Sequence, residues 1–123
     1  MAQKLITKAI ENAINKMPYG SQDGKRENAK VIARIFGGSI TAYILEGYQT
    51  GDEKWDGNTV FGLVDIGYGF EYGPFNVKDF EKGYKFGAIR LPFERGIYVE
   101  PLKQTIGDLA KENGETGRMP FGK

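Results

Sequence analysis

The sequence has no cysteine and no histidine. The first absence excludes disulfides, thiol nucleophiles and cysteine-ligated zinc; the second excludes Ser-His-Asp triads and His-ligated metals. No apolar run approaches the ~20 residues that a bilayer span requires. The polar, amphipathic stretch from Met1 to Ile10 lacks the unbroken apolar core of a signal peptide. Zero cysteine fits a reducing compartment, so the expected location is cytoplasmic, with no membrane partner. Charge of one sign is missing too: 17 basic and 16 acidic residues leave a net +1. That is not the profile of a strongly basic nucleic-acid binder.

What is present suits one folded domain. The 123 residues are 40% hydrophobic, and eight Phe, seven Tyr and one Trp supply bulk for a modest core. Eighteen glycines point to several turns and a β-rich middle. Thr7 can cap a helix from about Lys8 to Met17, with Ile10, Ala13, Ile14 and Met17 on one stripe and Pro18 as its stop. Residues 29–36 alternate as a strand, Gly37-Gly38 signals a hairpin, and residues 39–46 form the return strand. A long polar turn over 47–57 precedes a third strand at 58–66, and the glycine-rich bend 67–74 leads to a short fourth. Asn76 caps a short helix, Pro101 opens a last one, and Gly114 closes it. The expected fold is α+β: an antiparallel sheet of about four to five strands with N-terminal and C-terminal helices packed on it, both on one face. The domain is expected over 5–113, with a flexible tail over 114–123.

Four blocks then carry a family resemblance: Leu5-Ile6-Thr7-Lys8, Thr59-Val60-Phe61-Gly62-Leu63-Val64, Glu71 to Val77, and Phe93-Glu94-Arg95-Gly96-Ile97-Tyr98-Val99 leading to Glu100-Pro101-Leu102. In that order and spacing the chain resembles the bacterial "domain of unknown function 2958" family over about residues 5–109. Three departures stand out: Tyr43 is the lone aromatic of the second strand, where the family is Trp-rich; Pro74 interrupts the Glu71 block; and Gly96 replaces the family's Asp after Glu-Arg. The resemblance implies an origin on plasmids, integrated elements or phages, and assigns no residue a role.

Several motifs invite sharper readings. Asp52 to Asn58 starts like a calcium loop, but Lys54 and Leu63 fall where oxygen ligands are required, so a solvated turn built on Asp56-Gly57 is the expectation. Gly67 to Gly73 fails the dinucleotide pattern at Tyr72 and reads as a bend. Charge is segregated: residues 1–45 hold seven basic and three acidic groups, residues 46–81 two and eight, residues 82–123 eight and five. Such segregation can steer a charged protein partner.

The expected function is a small non-catalytic protein-interaction module of a phage or mobile genetic element, binding a host or element-encoded protein. Inhibition of a host defence system is its sharpest form. The expected partner surface is Asp52, Glu53, Trp55 and Asp56 in the long loop with Tyr68, Phe70 and Tyr72 in the bend. One alternative is a single-stranded nucleic-acid-binding accessory protein using Lys25, Arg26 and Arg34 beside Phe36 and Tyr43. A second is a carboxylate- or metal-dependent enzyme, in which Glu46, Asp65, Glu71 and Glu94 would have to meet. Otherwise Glu46, Glu71, Glu94 and Arg95 are candidates for structural ion pairs. No catalytic residue, metal or cofactor is expected.

Overall fold

The computed structural model describes residues 5–50, 52–86, 88–97 and 102–121. The element order is α1 (Lys8–Asn15), β1 (Ala33–Gly37), β2 (Ile40–Gly47), β3 (Thr59–Asp65), β4 (Phe70–Asn76), α2 (Val77–Glu81), β5 (Tyr84–Phe86), β6 (Ile89–Leu91), β7 (Glu94–Ile97) and α3 (Ile106–Glu112). Five strands form one antiparallel sheet in the order β4-β3-β2-β1-β7, and β5-β6 is a separate hairpin. The fold is α+β, as the sequence pattern predicts.

Local chemistry explains most boundaries. The Thr7 hydroxyl accepts from the Ile10 amide at 3.2 Å and starts α1. Gly38, at φ +59°, turns β1 into β2. The ring of Tyr84 lies where a Cβ on Gly37 or Gly38 would be, so the turn also serves as a seat for the β5-β6 hairpin. The last helix begins later than Pro101, which lies outside the described residues. Thr105 caps α3 instead, in a reciprocal box with Asp108. The strand pattern read from Ala29 starts only at Ala33. Before it, the chain takes isolated bonds: Ile106 N–H to Ala29 C=O, Val31 N–H to Gln104 C=O, and a bridge from Lys30 to Thr105.

The sheet is covered on both faces, and here the expectation of one covered face fails. Ile10 and Ile14 of α1, with Val77 of α2, pack on Ile35, Ala42, Ile44 and Val60. Alternate residues point the other way, where Tyr43, Leu45 and Leu63 meet Ile106 and Leu109 of α3. The helices must divide because β2 is apolar on both sides: its last six residues, Ala42–Gly47, are all buried.

The expected tail is also different through residue 121. Glu115 accepts from Arg34 at 2.6 Å and from the Tyr43 hydroxyl. Arg118 pairs with Asp65, and Met119 and Phe121 pack on the α3 side of the sheet. Polar sequence hid this segment because its anchors are two ion pairs, a tyrosine hydroxyl bond and two isolated apolar residues, with no apolar stripe. No helix among the described residues is long and apolar enough to cross a membrane.

Candidate functional site

The long loop supplies less surface than its sequence promises. Asp52 and Glu53 are exposed, with Glu53 accepting from the Thr50 amide. Asp56 builds the turn: it takes the Asn58 and Thr59 amides at 2.7 and 2.8 Å and the Thr59 hydroxyl at 3.0 Å. Partial burial opposes its ionisation, but these bonds outweigh that and hold its carboxyl below the usual value. Trp55 is no partner residue. It is buried in the α1-side core, and its indole N–H donates to the Thr59 carbonyl at 2.7 Å. In the bend, Tyr68 is 94% exposed and Tyr72 44%, but Phe70 faces inward and packs edge-on against Tyr43. Tyr68 lies in the turn, outside any strand, whereas Phe70 is the first residue of β4, paired with Asp65 and on the same sheet face as Tyr72.

The basic set is likewise divided. Lys25 and Arg26 are exposed. Arg34 is not: its guanidinium is held by Glu115 and lies 4.5 Å from the Phe36 ring centroid. Desolvation pushes its pKa down, but the Glu115 contact more than offsets this, and the group stays firmly charged. Tyr43 is wholly buried, and burial together with Glu115 pushes its phenol pKa far up. Arg34 and Tyr43 therefore hold the fold and do not form a free strand-binding surface.

The four carboxylates do not converge. Glu71 stands on β4 at one edge of the sheet and Glu94 on β7 at the other. Asp65 is held by Arg118 and by the amides of Gly67 and Gly69; the Arg118 bond is the main reason its pKa falls to about 2. No group of three or more potential metal ligands occurs among the described residues. Glu71 is exposed opposite Val64, and Arg95 sits half-buried opposite Ile35.

Glu46 has a different role from the ion pair expected of it. Between Ile44 and Glu46 the pairing of β2 with β3 slips by one residue, a bulge that leaves Leu45 as the extra residue. Regular alternation would turn Glu46 into the apolar α1 side with Ala42 and Ile44. The bulge aligns it with Phe61 and turns it to the other face. There its two oxygens accept the Gly20 and Gln22 amides, each at 2.7 Å. Gln22 extends the tie with side-chain bonds to Lys30 and to the Leu45 carbonyl. The polar 18–28 segment is thus fastened to the sheet.

That fastening presents a feature absent from the sequence reading. Tyr48 and Tyr19 meet edge-on at 4.8 Å, Tyr19 and Phe61 at 5.4 Å, and Phe61 and Tyr72 lie nearly parallel at 6.3 Å. Tyr19, Tyr48 and Tyr72 are 52%, 47% and 44% exposed. At the Tyr72 end, a recess of about 230 Å³ opens between Phe61, Tyr72 and Arg26, with Glu46 and Leu45 in its lining. Arg26 holds a left-handed backbone at φ +51°, the one non-glycine residue among those described to do so. Only Tyr72 of this row was legible as a candidate. The other three rings are 13 to 42 residues apart in sequence and meet through the β2-β3 pairing.

A larger cleft of about 660 Å³ lies on the opposite face, between the β1-β2 turn, Val64, Phe80, Tyr84 and Phe93. Its charged lining groups, Asp79 and Lys85, are both exposed, so its interior offers shape and apolar surface without a buried charge.

Comparison with protein-family models, curated proteins and solved structures finds no match to the chain. The family resemblance rests on its motifs alone, and the function must be read from the geometry.

Proposed function

We propose that the chain is a non-catalytic protein-interaction module that receives its partner on the row Tyr48, Tyr19, Phe61 and Tyr72. The observation that carries this reading is the contact of four rings of which three remain about half exposed. Rigid tyrosines give large amphipathic contact area at little entropic cost, and Tyr and Arg are enriched at binding hot spots. A chain with net +1 suits a partner recognised by shape as much as by charge. The resemblance to the domain-of-unknown-function family points to a host or element-encoded protein as that partner, with inhibition of a host defence system as the finer proposal.

The test is capture of partners from host lysate by the tagged chain, treated with nuclease and read by mass spectrometry. A partner retained by the parent and lost by the Tyr19→Ala/Tyr48→Ala double variant supports the reading. Retention by both chains, or no retained protein at all, defeats it.

One observation favours a second reading, single-stranded nucleic acid on the same row: Lys25 and Arg26 are exposed, and Arg26 rims the recess. In that case oligonucleotide affinity would fall with salt, and Lys25→Ala/Arg26→Ala would flatten the slope.

A further inference from the structure

We propose that the recess at the Tyr72 end of the row binds a cationic side chain of the partner, a guanidinium above all. This rests on the interaction reading just given and names the chemistry of its anchor. At about 230 Å³ the recess is smaller than pockets for drug-sized ligands, roughly 300–1,000 Å³, and suits one inserted side chain.

Its lining combines two features that select a cation. The first is aromatic: Phe61 and Tyr72 stand with their planes 12° apart, and ring faces attract guanidinium and ammonium groups. The second is a carboxylate. Glu46 is only 2% exposed and lies in the lining of the recess. Its described partners are two backbone amides, one to each oxygen, whereas an ionised carboxylate has about four acceptor positions. A buried negative charge met only by neutral donors gains most from a cation that brings its own N–H groups. Asp23, exposed at the rim, adds a second negative charge at the entrance.

Arg26 is the one positive lining group. Its guanidinium is drawn aside: Nη2 donates to the Phe121 carbonyl, Nε lies 3.8 Å from Glu27, and Cζ stands 5.9 Å from the Phe121 ring centroid. It therefore rims the site without neutralising Glu46, and it supplies a sharp discriminator. Removing it strengthens a cation site and weakens an anion site.

The experiment is a titration of the isotope-labelled full chain by amide-resolved NMR at fixed ionic strength. Three probes are used separately: n-butylguanidinium, n-butanol and n-butyl phosphate. The expected result is a saturable response to n-butylguanidinium at the Gly20 and Gln22 amides, with little response to the other two probes. Tyr72→Ala should weaken it about tenfold, and Arg26→Ala should tighten it severalfold. Both positions are exposed, so both variants keep the fold testable. Glu46→Gln should abolish the response if its spectrum remains folded. If that variant does not fold, the Arg26→Ala result decides the electrostatics.

An equal response to n-butanol would mean an apolar recess only and would overturn the proposal. So would a response to n-butyl phosphate lost in Arg26→Ala, or no saturable shift at Gly20 and Gln22. Failure here is separable from failure of the interaction reading. If the captured partner is lost by Tyr19→Ala/Tyr48→Ala but kept by Tyr72→Ala, the docking row stands and the cation recess falls.

Discussion

Glu46 shows how one residue can be misread from sequence for a sound reason. A carboxylate at the end of an apolar strand must be compensated, and a cation is the usual compensation. Here the chain brings two amides instead, because the bulge beside Leu45 redirects the side chain toward the 18–28 segment. Glu46→Gln puts an N–H₂ where an oxygen accepts, so one buried amide loses its partner; chemical denaturation should show a loss of about 1–3 kcal/mol. Asp65 makes a pH-dependent contribution. Its pKa is lowered from 3.8 to about 2, chiefly by Arg118, so its stabilisation is present above about pH 4 and drains away as pH falls toward 2. Thermal melts across that window should converge for the parent and Asp65→Asn, and should differ at pH 6 in favour of the parent. Arg34 is the third decisive residue. With its side chain 11% exposed and Glu115 removed, it would be a nearly buried unpaired charge, so Glu115→Ala should cost about 3 kcal/mol or more by denaturant titration.

Elements with strong local signals were legible, and those set by distant contacts were not. The Thr7 cap, the alternation of β2 and β3, and the glycine turn after β1 each follow from neighbours in sequence. The box of Thr105 and Asp108 that starts α3 is an equally local signal, masked by Pro101 upstream, whereas the β5-β6 hairpin depends on where the chain is carried in space. The Phe61-Gly62-Leu63-Val64 block has a steric basis that its sequence does not reveal. A Cβ on Gly62 would sit 1.9 Å from the Tyr43 carbonyl oxygen, backbone that cannot yield without disturbing the β2-β3 pairing at the bulge. Gly62→Ala should therefore destabilise by about 3 kcal/mol, near the upper end for overpacked sites, and calorimetry would register it as a large drop in Tm. Thr105→Ala removes one half of the α3 box and should cost about 1 kcal/mol.

The candidate binding surface belongs to the scale of the whole molecule, and that explains why so little of it could be read in advance. Trp55 and Phe70 looked like surface because they sit among polar and glycine residues, yet the fold turns both inward. Tyr19, Tyr48 and Phe61 lie in three separate segments and become neighbours only when β2 pairs with β3 and the 18–28 segment is tied down by Glu46 and Gln22. The same tie that answers a buried carboxylate thus sets the rings side by side.

The contact between Arg34 and Glu115 spans 81 residues of chain. While the protein is being synthesised, β1 to β4 can pair long before residue 115 exists. Until 115–121 arrive, Tyr43, Leu63 and Phe70 have no cover from that segment, and Arg34 has no carboxylate to meet. The half-made protein therefore passes through a period with a sticky face on which Arg34 and Asp65 both lack their later partners, and a ribosome that pauses before residue 115 would prolong the time in which that face can be captured by another chain.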